Sequence, residues 1–183
     1  MESPAQETFI SVDVETAGPD PSRYSLLSIG ACLVFDPAET FYAELQPVND
    51  AFTSEALQTS GLDMKKLKAH GLPPEEAMRR FSDWVAKNTP ADSRPVFVAF
   101  NAPFDWMFVS DYFHRYLGRS PFGHKALDIK AFFMGLTGAQ WEQTGFEEIA
   151  RHYGIERPLT HHALEDAIAQ AELFRRMLAE RRD

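Results

Sequence analysis

Asp13 and Glu15 stand two residues apart in Phe9-Ile10-Ser11-Val12-Asp13-Val14-Glu15-Thr16, where apolar and polar side chains alternate. That period predicts a β-strand. Successive strand side chains face opposite ways, so Ile10, Val12 and Val14 share one face and Ser11, Asp13 and Glu15 the other. The two carboxylates then lie roughly 6–7 Å apart at their Cα atoms. Each raises the other's pKa unless a cation sits between them, and a hard divalent ion such as Mg²⁺ or Mn²⁺ prefers such oxygen ligands. The same pair would also serve as the wet face of an edge strand, so the metal reading needs support from elsewhere in the chain.

Two further acids supply it. In Phe100-Asn101-Ala102-Pro103-Phe104-Asp105-Trp106, Pro103 suits the first helical position and puts Asp105 in the first turn. A carboxylate there gains from the helix dipole, but the site is also the carboxyl end of a buried strand, where open α/β sheets place their ligand crevice. The other acid is in Thr160-His161-His162-Ala163-Leu164-Glu165-Asp166-Ala167. Projected at about 100° per residue, Glu165, Ala169, Glu172 and Arg176 form a polar face and Leu164, Ile168, Ala171 and Leu178 an apolar stripe. Asp166 falls on a second stripe continued by Leu173 and Met177, where an acid needs a partner and a metal would serve. His161, about 500° around from Asp166 if both were helical, is placed instead on the loop ahead of the helix, swung over the same site. A histidine there is a candidate general base.

The elements that must position these residues follow from the same patterns. Residues 1–7 are polar and expected to be disordered. After the first strand, Gly18, Pro19 and Pro21 mark a loop. Strands are predicted over 25–35 and 40–46, joined by short connections as an antiparallel meander. Residues 47–73 carry short helical stretches punctuated by Ser60-Gly61 and His70-Gly71. A stronger helix spans 74–88, with Ala77, Phe81, Trp84 and Val85 at helical spacing. A strand apolar on both faces covers 95–100, and a helix runs from there to about 117. Leu127-Asp128-Ile129 reads as a short strand before helical 130–136. A short helix closes at Gly154, and the last helix spans about 162–180. Three early strands followed by alternating helix and strand indicate one mixed α/β sandwich.

Bulk composition bounds the function. The chain has 183 residues, 44% hydrophobic and 25% charged, enough for one domain with a real core. The single cysteine, Cys32, excludes an intramolecular disulfide framework and a Cys-based zinc site, and its apolar surroundings predict a buried thiol. No apolar run reaches the ~20 residues that cross a bilayer and the first residues lack a signal peptide's basic and apolar blocks, so the expected location is cytoplasmic, with no membrane partner. The net charge of −9 argues against long tracking along duplex nucleic acid, though not against holding one short end.

Taken together, the three motifs resemble the DEDDh 3′–5′ exonucleases of the ribonuclease-H-like superfamily, which include ribonuclease T, oligoribonuclease and proofreading subunits. Asp13-Val14-Glu15-Thr16 with Ala17-Gly18 matches the first motif. Asn101-Ala102-Pro103-Phe104-Asp105 matches the second, with Phe100 where many relatives have His. His161-His162-Ala163-Leu164-Glu165-Asp166-Ala167 matches the third, and His161 has the DEDDh spacing, while His162 stands where the DEDDy group has its Tyr. The resemblance runs from about residue 8 to 178. It implies a mixed five-stranded sheet, three antiparallel strands then parallel ones, flanked by helices. It implies two Mg²⁺ or Mn²⁺ ions held by Asp13, Glu15, Asp105 and Asp166, with Asp13 bridging and His161 as general base. The substrate implied is the 3′ end of single-stranded DNA or RNA, and the product a nucleoside 5′-monophosphate. Backbone at Thr16 and Ala17 is expected to meet the terminal sugar. Phe104 would stack on a base or pack in the core, and Asn101 would contact a phosphate or cap its helix. Asp128 is expected to be structural. Very short oligonucleotides as substrate, and a non-catalytic module of the same fold, are the alternatives. A homodimer is left open, since no heptad or dominant exposed stripe marks an interface.

Overall fold

The structure, a computed structural model, describes residues 6–156 and 159–181. Of the terminal segment expected to be disordered, residues 1–5 lie outside the described residues. Gln6 and Glu7 instead belong to the first strand, held by parallel pairing with Ser93 and Arg94.

Strand β1 (Gln6–Thr16) is the centre of a five-stranded sheet of order β3-β2-β1-β4-β5. On one side it pairs antiparallel with β2 (Leu26–Leu33), which pairs antiparallel with β3 (Thr40–Glu44). On the other it pairs parallel with β4 (Ser93–Ala99), followed by β5 (Ala126–Asp128), also parallel. The expected mixed sheet is therefore present. β4 starts two residues earlier than its apolar run, because Gln6 and Glu7 of β1 pair with Ser93 and Arg94 ahead of Pro95. Proline is tolerated there because β5 reaches only Phe97–Ala99, so no ladder bond is demanded of Pro95 on that side.

Between β3 and β4 the chain forms α1 (Ser54–Ser60), α2 (Met64–His70) and α3 (Pro74–Lys87). Gly61, with φ +66°, closes α1 in the left-handed conformation a glycine cap supplies. Then come α4 (Ala102–Leu117), α5 (Ile129–Thr137), a 3₁₀ turn at Trp141–Gln143, α6 (Phe146–His152) and α7 (Ala163–Glu180).

The alternation along β1 splits the core. Ile10, Val12 and Val14 pack with Phe81 of α3 and Phe108, Tyr112 and Phe113 of α4. The Tyr112 hydroxyl accepts a hydrogen bond from Leu26 N at 2.9 Å, tying α4 to β2. On the opposite face Cys32, Val98, Ile129, Ile149 and Phe174 form a second core under α5, α6 and α7. Cys32 is buried, as expected. Ser11, Asp13 and Glu15 point towards this second layer, so the acids sit beneath α7 rather than on a wet edge.

α7 differs from its projected pattern. Ala169 is buried while Leu164 and Ile168 are only half-buried. The buried face is broader than either stripe and centres on Asp166, Gln170, Leu173 and Met177. Among the described residues no helix is long and apolar enough to cross a membrane.

Candidate active site

The site exists because two parallel strands stop pairing before they end. The β1–β4 ladder reaches only Ser11 and Val98, while β1 keeps pairing with β2 as far as Thr16. The upper part of β1 therefore has backbone groups facing a gap, at the carboxyl ends of both strands, where ligand crevices of open sheets form. Val14 N in that gap is satisfied by a side chain, donating to Asp105 Oδ1 at 3.1 Å. A register shift between Glu15 and Thr16 ends the strand with a kink, a common re-aiming device beside functional sites.

Asp105 stands in the first turn of α4 and is 3% exposed. Asn101 makes the corner from β4 into this helix with φ +61°. Its side chain makes no cap bond. Asp128 does that work, accepting from Ala102 N at 2.6 Å and, through its other oxygen, from Ala131 N at 2.7 Å. Asp128 thus has the expected structural role, joining the starts of α4 and α5.

Asp166 reaches the site because α7 begins directly on β2. Gly30 pairs with Asp13, and a Cβ placed on Gly30 would lie 2.2 Å from the backbone of Ala163 and Leu164. Only glycine lets the helix seat this low. Asp166 accepts hydrogen bonds from Thr160 N at 2.7 Å, Thr160 Oγ1 at 3.1 Å and His161 N at 2.9 Å. Its carboxylate thereby fixes the loop carrying His161, whose φ is +57°. Left-handed backbone at a non-glycine residue is uncommon and gathers at functional sites.

His161 and the acids converge. Ligand atoms of Glu15, His161 and Asp166 lie within 4.8 Å of one another. His162, the weaker alternative, turns away and stacks on Tyr42 with ring centroids 4.7 Å apart.

Sequence reasoning missed Gln170. It is buried and clamps the site, donating from Nε2 to Asp13 Oδ1 at 2.6 Å while its Oε1 accepts from Phe100 N at 3.0 Å. The signal was present, since residue 170 follows Asp166 by four and shares its helix face. Also missed was the wall contributed by α1 and the residue that caps it, where Thr53, at the N-cap, and Ala56 and Thr59 of the helix line a cleft of about 510 Å³ with the acids. The cleft is further lined by Thr16, Phe100, Asn101, Phe104, Leu159 and His161. Ala17 is not at its surface. Ala17 N donates to Ser25 O and Ala17 O accepts from Thr53 N, both at 2.8 Å, so its backbone is spent inside the protein. Phe104 is half-buried, against Phe108 on one side and the cleft on the other.

Burial, then the negative charges of Asp105, Glu15 and Asp166, pushes the Asp13 carboxyl well above the carboxylate range, against a smaller opposing pull from Gln170. Burial likewise raises Asp105. Glu15 is pushed up to about 8, by burial and then by Asp166. Among the described residues none of the four acids is in an ion pair with lysine or arginine. Asp105 is buried and Asp13 and Glu15 are half-buried, and with no counter-charge beside them these three carboxyls are held neutral unless a cation joins them. An all-oxygen donor set fits hard divalent ions such as Mg²⁺ or Mn²⁺.

Over residues 8–178 the chain matches the 3′–5′ exoribonuclease Rv2179c-like domain. It is 48% identical over 170 residues to the 3′–5′ DNA exonuclease Cap18 of Escherichia coli, covering 93% of this chain and 91% of that protein. It is 32% identical over 179 residues to ribonuclease T of Vibrio parahaemolyticus, covering 90% and 82%. In structure it is similar to the nuclease domain of 3′hExo, a DEDDh family member solved bound to rAMP, with TM-score 0.78, 15% identity and coverage of 97% and 94%. It also resembles Escherichia coli exonuclease I solved with a dT13 oligonucleotide, with TM-score 0.71, 18% identity and coverage of 92% and 40%.

Proposed function

Because the chain belongs to the Rv2179c-like 3′–5′ exoribonuclease domain family and is a DEDDh 3′–5′ exonuclease of ribonuclease-H-like fold, we propose that it removes nucleoside 5′-monophosphates one at a time from single-stranded 3′ ends. The observation that carries this reading is the convergence of Asp13, Glu15, Asp105 and Asp166, without a cationic partner among the described residues, beside His161 in an open cleft. Both DNA and RNA are candidate substrates. The family domain is described as an exoribonuclease, whereas the relative with 48% identity is a DNA exonuclease.

Asp13, Glu15, Asp105 and Asp166 would hold two divalent ions, Mg²⁺ or Mn²⁺. Such ions supply Lewis-acid charge to the scissile phosphate and make water a stronger acid. The protein's own residues do the rest. The terminal nucleotide lies in the cleft between α1 and the start of α4, with Phe104 against its base and Thr16 and Asn101 beside its sugar and phosphate. His161 accepts the proton of the attacking water at a ring nitrogen. The water oxygen bonds to phosphorus, and the bond from phosphorus to the 3′ oxygen of the preceding nucleotide breaks. That oxygen takes up a proton, leaving a chain one unit shorter with a free 3′ hydroxyl. Gln170 holds Asp13 in place throughout, and Asp166 holds the backbone on which His161 turns.

The test offers 5′-labelled single-stranded DNA and RNA with Mg²⁺, Mn²⁺ or EDTA. A ladder shortening from the 3′ end only with metal is the expected result. Tight binding without cleavage in Mn²⁺ would make the chain a binding module.

A further inference from the structure

Phe100 belongs to two places at once. One part of it lines the catalytic cleft. The same ring lies under the Lys130 ammonium, 5.8 Å from Nζ to the centroid. Lys130 in turn sits 4.1 Å over the ring of Trp141. A cation and two aromatic rings thus lead out of the cleft onto the surface.

The cation–π contacts hold Lys130 in place but leave its charge without an anion and the indole half in solvent. Trp141 is 50% exposed, an unusual state for so large a side chain. Its 3₁₀ turn is nevertheless pinned. Gln140 and Gln143 cap it reciprocally, and the hydroxyl of buried Thr144 donates to Trp141 O at 2.7 Å. Lys130 lies in the first turn of α5, where the helix dipole disfavours a positive charge. Among the described residues it makes no ion pair, in a chain of net charge −9. A rigid aromatic face beside a cation that has ring contacts but no anionic partner among the described residues is how single strands are gripped without sequence preference.

We propose that Lys130 and Trp141, continuous with the cleft through Phe100, form a second subsite in which an upstream base of the substrate strand stacks on the part of the indole that Lys130 leaves open to solvent and Lys130 meets a backbone phosphate. The proposal rests on the exonuclease reading and adds to it where the strand leaves the cleft.

The test compares single-stranded oligonucleotides of six or more units with the p-nitrophenyl ester of thymidine 5′-monophosphate, which fills only the terminal site. In Trp141→Ala the ratio of kcat/KM on the oligonucleotide to that on the ester should fall about tenfold, mainly through KM, and Trp141→Phe should restore most of it. Lys130→Met should lower the same ratio. Oligonucleotide added to the Asp13→Asn variant should quench tryptophan fluorescence, and the quench should disappear when Trp141→Phe is also present. An unchanged ratio in Trp141→Ala, or a quench that survives Trp141→Phe, overturns the subsite. Failure of the unaltered protein to cleave either substrate overturns the exonuclease reading instead.

Discussion

An acid partly shielded from water beside other acids, with no counter-ion, works against the fold that holds it. Glu15 has an ordinary value of 4.5 and is raised to about 8. Between those two values the folded chain keeps a proton that the unfolded chain gives up. The native state then binds more protons than the unfolded state, so stability falls as pH rises through this window. Asp13 and Asp105 shift in the same direction. In EDTA, the melting temperature should therefore drop between about pH 5 and pH 8, and Mn²⁺ should reverse the drop by binding the ionised acids. Asp13→Asn can still accept the bond from Gln170 while removing one charge from the cluster. It should melt higher than the unaltered protein in EDTA at pH 8, respond less to Mn²⁺ and lose cleavage. An unchanged or lower melting point would mean that the acids are already compensated. His161 is a different case, because its side chain is exposed and only its main chain is bonded to Asp166. His161→Ala should lower kcat by about 10²–10⁴-fold and leave stabilisation by Mn²⁺ close to unaltered. An equal loss of metal response would make His161 a ligand rather than a base.

At the scale of elements, the site depends on how closely α7 sits on β2. Gly30→Ala would place a methyl group 2.2 Å from main-chain atoms of Ala163 and Leu164, and backbone cannot yield as a flexible side chain can. The first turn of α7 must lift, carrying Asp166 away from Asp13. The expected cost is about 1–3 kcal/mol of stability, with a larger proportional loss of kcat. Gly135→Ala is the control, since its new methyl meets nothing within 4 Å inside α5 and should be neutral or stabilising. Thermal melting and cleavage rates of the two variants decide it. The same geometry shows what a sequence can and cannot carry. The period of β1, the proline at the start of α4 and the odd acid on a stripe of α7 are local patterns, and they located all four acids. Seating Gly30 under α7, ending the β1–β4 ladder at Ser11 and bringing α1 across the cleft are long-range events with no local period. Gln170 lay between, at helical spacing from Asp166 but with a partner, Asp13, 157 positions away. Ala17 was another such case, since both its backbone groups bond to residues distant in sequence, Ser25 and Thr53.

For the whole molecule the governing quantity is charge. A protein that neutralises many phosphates loses about 10³–10⁵ in affinity between 50 and 200 mM salt. A net charge of −9 argues against so many phosphate contacts. Its cleft wall even adds Glu55 to the four acids. On this reading grip comes from stacking and from what the acids hold, with Lys130 the cation at the proposed second subsite. Each phosphate contact on a single strand contributes a salt slope of about −0.7, so KM on a long oligonucleotide should rise less than about tenfold across that salt range. Lys130→Met should remove most of the rise. Weak retention also means that the strand is released between cuts. With excess substrate, products should shorten together as a ladder rather than pass from full length to the end in one encounter. A steep salt dependence, or long processive runs, would require a basic track that engages many phosphates and would shift substrate binding away from this cleft.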